Sequence, residues 1–396
     1  MSTSDPIVIV GMARTPIGGF QGVLKDVSGP ELGSSAIRAA LERSGVPAED
    51  IDEVLMGCVL PAGMGQAPAR QASLGAGIPD ATGCTTVNKM CGSGMKTTML
   101  AHDLLVTGTN EVMVAGGLES MSNAPYILPK ARSGQRLGHG QMLDHMFLDG
   151  LEDAFDKGKL MGVFAERTAK KYGFSRESQD EFAIRSLTRA KKAIEDGSFD
   201  AEVTPVTYKN RQGEVTVEQD EQPLTANLEK IPKLRPAFDK DGTVTAANSS
   251  SISDGAAALV MMRESTAKKR GLKPIARFLG HSSFAQEPAW FTTAPVSAIR
   301  KLLETVGWKA DDVDLYEINE AFAVVTMAAM KDLDLPAEKV NVHGGACALG
   351  HPVGASGTRI LVTLISALQK YGKTRGVASL CIGGGEATAM AVEVMS

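Results

Sequence analysis

Apolar positions along this chain recur in two rhythms: short β-branched runs closed by glycine, and longer stretches with helical spacing. Ile7 to Gly11 (IVIVG) is the first such run and reads as a buried strand of an α/β sheet. A helix is predicted from about Pro30 to Ser44, stopped by Gly45, with a loop from Val46 and a strand within IDEVLMGCV. Asn88 to Lys96 (NKMCGSGMK) then places a glycine-serine-glycine turn before an amphipathic segment, Met95, Met99, Leu104 and Leu105, that predicts a helix. The strand EVMVAGGLES follows and ends in glycines. This unit recurs. SAIRAALERSGVPAEDIDEV from Ser35 and SAIRKLLETVGWKADDVDLY from Ser297 share ten identities in twenty positions without a gap, among them Arg38 with Arg300, Gly45 with Gly307 and Asp52 with Asp314. The second copy continues into GASGTRILVTLISALQ and GVASLCIGGGEAT. The pattern predicts two copies of one α/β fold, too far apart for a short-period solenoid, with a ligand cleft between them.

Between the copies, roughly Met121 to Ser250, prolines, glycines and charges replace the regular pattern and predict an inserted lobe. Its clearest helix runs from Ser175 to Ile194, with a serine cap and a glutamate in the first turn. The segment SGQRLGHGQM is too polar and glycine-rich for a core and is expected to be a surface loop or an oligomer contact. Lys157, Lys159, Arg167, Lys170 and Lys171 either attract a phosphate-bearing ligand or form a solvated helix face. ARTPIGGFQG after the first strand lacks the G-x-G-x-x-G spacing of a dinucleotide turn, so no nicotinamide or flavin site is expected.

Composition narrows the class. The chain has 396 residues, a mass of 41.6 kDa and a formal net charge of −5, more than one hydrophobic core usually supports and not basic enough for a nucleic-acid binder. Five cysteines, at 58, 84, 91, 347 and 381, form neither a disulfide framework nor a C-x-x-C pair, so reduced thiols and a cytoplasmic setting are expected. MSTSDPIVIVG has no basic n-region, and neither a signal peptide nor a membrane span is expected.

Four short stretches carry candidate chemistry. Cys91 precedes a predicted helix, where the dipole and unpaired N–H groups favour thiolate, and glycines allow close backbone approach; a small buried hydrophobe is the alternative. Asn319 in YEINEAFAV lies where a strand meets a helix, either functional or a cap. His351 lies in GGACALGHPVGASG, a glycine-rich setting unlike that of a core histidine. Cys381 opens CIGGGEA, the counterpart of AGGLES.

NKMCGSG, NEAF, GHPVGASG and CIGGG, in this order and over essentially the whole chain, resemble the thiolase family. The resemblance implies an αβαβα five-layered core built from two duplicated halves, with the helices after Cys91 and Gly354 between two sheets and an inserted loop domain that grips coenzyme A. The expected boundaries are 1–121 for the N-terminal half (completed by 252–272), 122–251 for the loop domain and 273–396 for the C-terminal half. The implied activity is the reversible Claisen condensation of two acetyl-CoA to acetoacetyl-CoA plus CoA, with coenzyme A as substrate and product, no metal and no resident cofactor. Cys91 would be acylated, His351 would be its base, and Cys381 would deprotonate the second acetyl-CoA. One oxyanion site would use His351 with a water held by Asn319, the other the backbone N–H groups of Cys91 and Gly383. Coenzyme A and the acyl group would meet Leu151, Met161, Phe238, Ala246, Ser250, Phe291, Ala321 and Phe322. The chain departs from the family pattern at His343, Leu160 and Leu224, where Asn, His and Arg are usual. Trp290 and Phe291, in EPAWFTTAP, stand where short-chain relatives often carry Val-Met and are expected to narrow the acyl pocket. The resemblance further implies a homotetramer, a dimer of dimers, with neither nucleic acid nor membrane as partner. The alternatives are a degradative 3-ketoacyl-CoA thiolase of broader chain length and a catalytically dead CoA or lipid carrier. The retained Cys91, His351 and Cys381 argue against the carrier.

Overall fold

The computed structural model describes residues 5–211 and 213–395. Its main sheet runs, in spatial order, through Gly83–Val87, Glu53–Gly57, Val112–Ser120, Ser253–Arg263, Ile7–Arg14, Ala276–Ala285, Glu386–Val394, Arg375–Ile382 and Leu315–Ile318. The two halves of this order join where Val8 pairs with Arg277 and Ile9 with Ala276. Every residue of the Ile7–Arg14 strand is buried, because helices cover both faces at this point.

The layers follow from which faces are apolar. The helices Ser93–Val106 and Ser356–Lys370 lie between the two halves of the sheet and share one core with Met95, Met99, Leu259, Ile360, Leu364 and Leu380. From Ser356 to Leu368 the second helix is buried on all sides, as a central helix must be. Gly29–Ser44 and Pro68–Gly75 cover one outer face, and Ala294–Val306 covers the other. The result is the five-layered αβαβα arrangement.

The duplication extends to individual hydrogen bonds. Gly45 and Gly307 end their helices in the left-handed conformation, at φ 69° and 72°, which glycine adopts without the Cβ penalty. Asp52 accepts the N–H groups of Glu111 and Val112 at 2.7 and 2.9 Å; Asp314 accepts those of Thr374 and Arg375 at 3.0 and 2.8 Å. Arg38 donates to the Gly75 carbonyl at 2.6 Å, and Arg300 to that of Asp332 at 2.7 Å. Three of the repeated identities thus hold matching joints.

The inserted lobe enters where the two copies differ. In the second half, Arg375–Ile382 turns back through Gly383 to Gly385 into its antiparallel neighbour Glu386–Val394. In the first half, Val112–Ser120 pairs in the same way with Ser253–Arg263, but the chain between them forms the lobe. Ser175 caps the helix Arg176–Glu195 by accepting the Ser178 N–H. Arg14, fully buried, binds Glu202 of the lobe at 2.5 Å and both oxygens of Asp220 at 2.7 and 2.9 Å, fastening it to the first strand. Removing one partner of such a buried cluster would strand a charge in low dielectric, at a cost of roughly 3–5 kcal/mol.

Candidate active site

Cys91 sits on the turn between the strand Gly83–Val87 and the helix Ser93–Val106, two residues before the helix begins. Met90 before it is held at φ 49°, a left-handed conformation that a methionine adopts only under constraint. The constraint is local. Asn88 Oδ1 accepts the Met90 N–H at 2.9 Å, Lys89 N–H donates to Ser93 Oγ at 2.9 Å, and Ser93 Oγ donates to the Met90 carbonyl at 2.6 Å. Gly92 packs so closely on Ile382 that a Cβ there would lie 2.4 Å from the isoleucine Cδ1. The ion pair of Lys89 with Glu386 also joins the two turns.

The sequence-based expectation that helix position would favour a Cys91 thiolate is corrected here. Burial pushes this thiol up to about 11, although the N–H groups of Gly383 and of Cys91 itself donate to the sulfur and oppose the shift. Two N–H donors, one just before the helix and one on the Gly383 turn, do not repay the lost hydration of a thiolate, so the resting group is a thiol and needs a base. Cys381 is buried within the end of the Arg375–Ile382 strand rather than after it. Its thiol is pushed well up, first by burial and second by Cys91, which places the two sulfurs within electrostatic reach.

His351 is buried on the loop between Ala346–Leu349 and Ser356–Lys370. Its Nδ1 lies 2.6 Å from Ser356 Oγ, and that hydroxyl donates to the Pro352 carbonyl at 3.0 Å. With the serine hydrogen so committed, the network assigns the ring proton to Nδ1. Nε2 is left a free acceptor, and it has no partner among the described residues. Burial, and to a lesser extent Arg359, lowers this imidazole to about 3, so it is neutral at rest. Asn319 does not cap a helix; Phe322 precedes the next one, Ala323–Leu333. Its amide lies between His351 Nδ1, 3.5 Å from Nδ2, and Arg359 Nη2, 3.4 Å from Oδ1. These are long, weak contacts. Arg359 is held in turn by Glu317 at 3.2 Å.

The residues placed by resemblance at coenzyme A fall in three places. Met161, Phe238, Phe291, Ala321 and Phe322 join Cys381 in one apolar cluster. Phe238 meets Phe322 edge-on at 6.0 Å, and Ser250 donates its N–H and hydroxyl to the Ala321 carbonyl, each at 2.9 Å. Leu151 packs with Met90 and Cys91. Ala246 is exposed and stands apart, on a surface hollow with Leu187, Ile231 and Cys347. Trp290 turns outward beneath Lys171, whose Nζ is 4.3 Å from the ring centre, so of this pair only Phe291 reaches the Cys381 cluster. The lobe cations are partly engaged by the protein: Lys159 and Arg167 contact Asp156 at 2.6 and 3.4 Å.

Glu119 is the supporting residue that sequence reasoning missed. It is fully buried and accepts the N–H groups of Val59 and Gly354 at 2.9 Å and of Leu60 at 3.1 Å, tying the His351 loop to the first half. Burial pushes it up to about 7 against those three N–H groups. A lone acid closing the otherwise apolar strand VMVAGGLES was the available signal. Ser356 and Arg359 were legible in the same way, as polar groups on a helix buried on every side.

The description "Thiolase, N-terminal domain" matches residues 7–265, and "Thiolase, C-terminal domain" matches residues 272–394. The chain belongs to the thiolase family. Among thiolase relatives, the acetyl-CoA acetyltransferase of Escherichia coli K12 is 50% identical over 388 residues, covering 98% of each chain. That of Thiocystis violacea is 48% identical over 392 residues, 98% of this chain and 99% of its own. Two thiolase crystal structures superpose along nearly the full length. The Bacillus anthracis acetyl-CoA acetyltransferase does so with a TM-score of 0.97 at 44% identity, covering 100% of both chains. The Acat5 thiolase from Ascaris suum, in complex with coenzyme A, gives 0.93 at 42%, covering 98% of this chain and 100% of its own. Among the described residues, no helix is long and apolar enough to cross a membrane.

Proposed function

We propose that this thiolase is an acetyl-CoA acetyltransferase that condenses two acetyl-CoA reversibly to acetoacetyl-CoA and CoA through an acetyl group on Cys91. The observation that carries the assignment is the meeting of the two cysteine-bearing segments at the seam of the duplicated halves, where Gly92, next to Cys91, packs against Ile382, next to Cys381. Full-length identity to enzymes of that activity supports it.

Cys91 gives its proton to a neutral imidazole, and the free Nε2 of His351 is the acceptor suited to it. The sulfur attacks the thioester carbon, and the proton passes to the departing CoA sulfur. Cys381, itself a thiol at rest, gives its proton to the His351 imidazole, neutral again once the first CoA has left, and as a thiolate removes an α-proton from the second acetyl-CoA. The resulting carbanion attacks the acetyl carbon on Cys91 and releases the Cys91 sulfur. The N–H groups of Gly383 and Cys91 stabilise the oxyanion formed at that carbon, and each such donor is worth roughly 3 kcal/mol in the transition state. For the second oxyanion we assign the Nε2–H of His351, which carries the Cys381 proton until the freed Cys91 sulfur takes it, with a water held by Asn319.

Coenzyme A would run from Leu151 and Met161 past Ser250 toward Ala246. The adenine and phosphate end would be held otherwise than by Leu160, which precedes the Met161 helix, or Leu224, which is 56% exposed. A cytoplasmic homotetramer fits this reading, supported by Leu137, 87% exposed in the loop SGQRLGHGQM.

Cys381→Ala tests the division of labour. Acylation of Cys91 precedes the need for a second base, so the variant is expected to accumulate acetyl-enzyme while condensation stops. Quenched-flow mass spectrometry that found no acyl-enzyme, or turnover near that of the wild type, would refute the assignment.

A further inference from the structure

On the far end of the helix that begins after Cys91, about 14 Å along its axis from Ser93, His102 and Asp103 face His281 of the strand Ala276–Ala285. One oxygen, Asp103 Oδ1, lies 2.8 Å from His281 Nε2 and 3.1 Å from His102 Nδ1. The ligand-type atoms of all three residues fall within 4.8 Å of one another.

We propose that these three residues bind a divalent transition-metal ion of the zinc class, in a site separate from the catalytic thiols. Two imidazole nitrogens and one carboxylate oxygen are a donor set for zinc, cobalt or nickel, whereas calcium and magnesium seek oxygen alone. A tetrahedral ion with bonds of about 2.0–2.1 Å sets its ligands roughly 3.3 Å apart, so the observed spacings need only small side-chain shifts. The site is built rather than accidental in its orientation. The His102 ring stands edge-on to Phe278 at 6.2 Å and to His281 at 5.2 Å, which restricts its rotamer from two sides. Exposure is graded: the two histidine side chains are 16% and 21% exposed and Asp103 is 53% exposed. Two walls of imidazole thus meet a carboxylate at the mouth, leaving water to complete the coordination.

The ligands come from opposite halves, His102 and Asp103 from the first and His281 from the second. An ion there braces the seam and stabilises the folded chain in proportion to its occupancy.

Cobalt is the probe, applied to the full-length enzyme stripped with a chelator. The expected result is one Co2+ per chain at micromolar concentration, with weak visible d–d bands, no thiolate charge-transfer band and a raised melting temperature. His281→Gln, which keeps a hydrogen-bond partner for Asp103, and His102→Gln are both expected to lose the ion, the bands and the thermal shift while retaining wild-type thiolysis. Failure of the wild type to bind cobalt overturns the proposal. So does cobalt binding that persists in both variants, or a spectrum dominated by thiolate charge transfer, which would place the ion at Cys91 and Cys381.

Discussion

Phe291 is the residue at which substrate range is decided in this account. It is buried in the cluster that holds Cys381, edge-on to Phe164 at 6.3 Å, while Trp290 beside it faces a surface lysine. A methylene that such a wall cannot accommodate forfeits about 1–3 kcal/mol, tenfold or more in specificity. Thiolysis kcat/KM is therefore expected to fall steeply from the four-carbon 3-ketoacyl-CoA to the six- and eight-carbon ones, and Phe291→Ala is expected to flatten the fall. A native preference for the eight-carbon substrate would instead favour the degradative reading. His343 bears on stability. It is buried against Phe199 and Tyr371 with neither ring nitrogen partnered among the described residues, and burial lowers it to about 4. The unfolded chain takes up this proton below about pH 6.5 while the folded chain does not, so stability must fall as pH falls through that window. For His343 the loss between pH 7 and pH 5 is about 2 kcal/mol. Urea unfolding at the two pH values checks it: His343→Asn should lose correspondingly less stability than the wild type, and equal losses would show that His343 does not titrate this way.

At the scale of elements, the duplicated joints invite a matched comparison. Asp52→Ala and Asp314→Ala each leave two N–H groups at a strand start without their acceptor, and the cost is about 1–3 kcal/mol for a buried donor and less for one that water reaches. Asp52 is exposed and Asp314 only partly so, hence Asp314→Ala should lower the unfolding midpoint more. The reverse order would contradict the burial argument. The repetition was readable in the sequence: the ten identities predicted two copies of one α/β unit, and the helix expected from about Pro30 to Ser44 runs from Gly29 to Ser44; the left-handed glycines and the aspartate joints emerge only in the structure. Cys91, His351 and Cys381 were readable as polar groups beside glycine-rich turns, and Asn319 as a polar group where a strand meets a helix. Their ionisation was not. Local sequence places Cys91 before a helix, but the burial that dominates its thiol is set by chain brought to it in the fold, from Val59, Leu60 and Met121 to Val353. Glu119 escaped for the same reason, since its three N–H partners lie in two segments remote from it.

For the molecule as a whole, the proposed site lies at the seam between two copies of one fold. The first copy supplies Cys91 and Glu119, the second His351, Asn319, Cys381 and the Gly383 N–H, and the lobe supplies Met161 and Phe238. Ion pairs and buried carboxylates hold these parts in register: Lys89 with Glu386 across the two catalytic turns, Arg14 with Glu202 and Asp220 across lobe and sheet. In the proposed reading one cysteine is nucleophile and the other base: Cys91 is the less buried and has the N–H groups of Gly383 and of its own residue on its sulfur, while Cys381 is fully buried. The most direct test is to incubate the enzyme with acetyl-CoA labelled in the acetyl group, quench, digest and map the label. The account predicts label on the peptide carrying Cys91 and its release on adding CoA; label on Cys381, or on no cysteine, would contradict it.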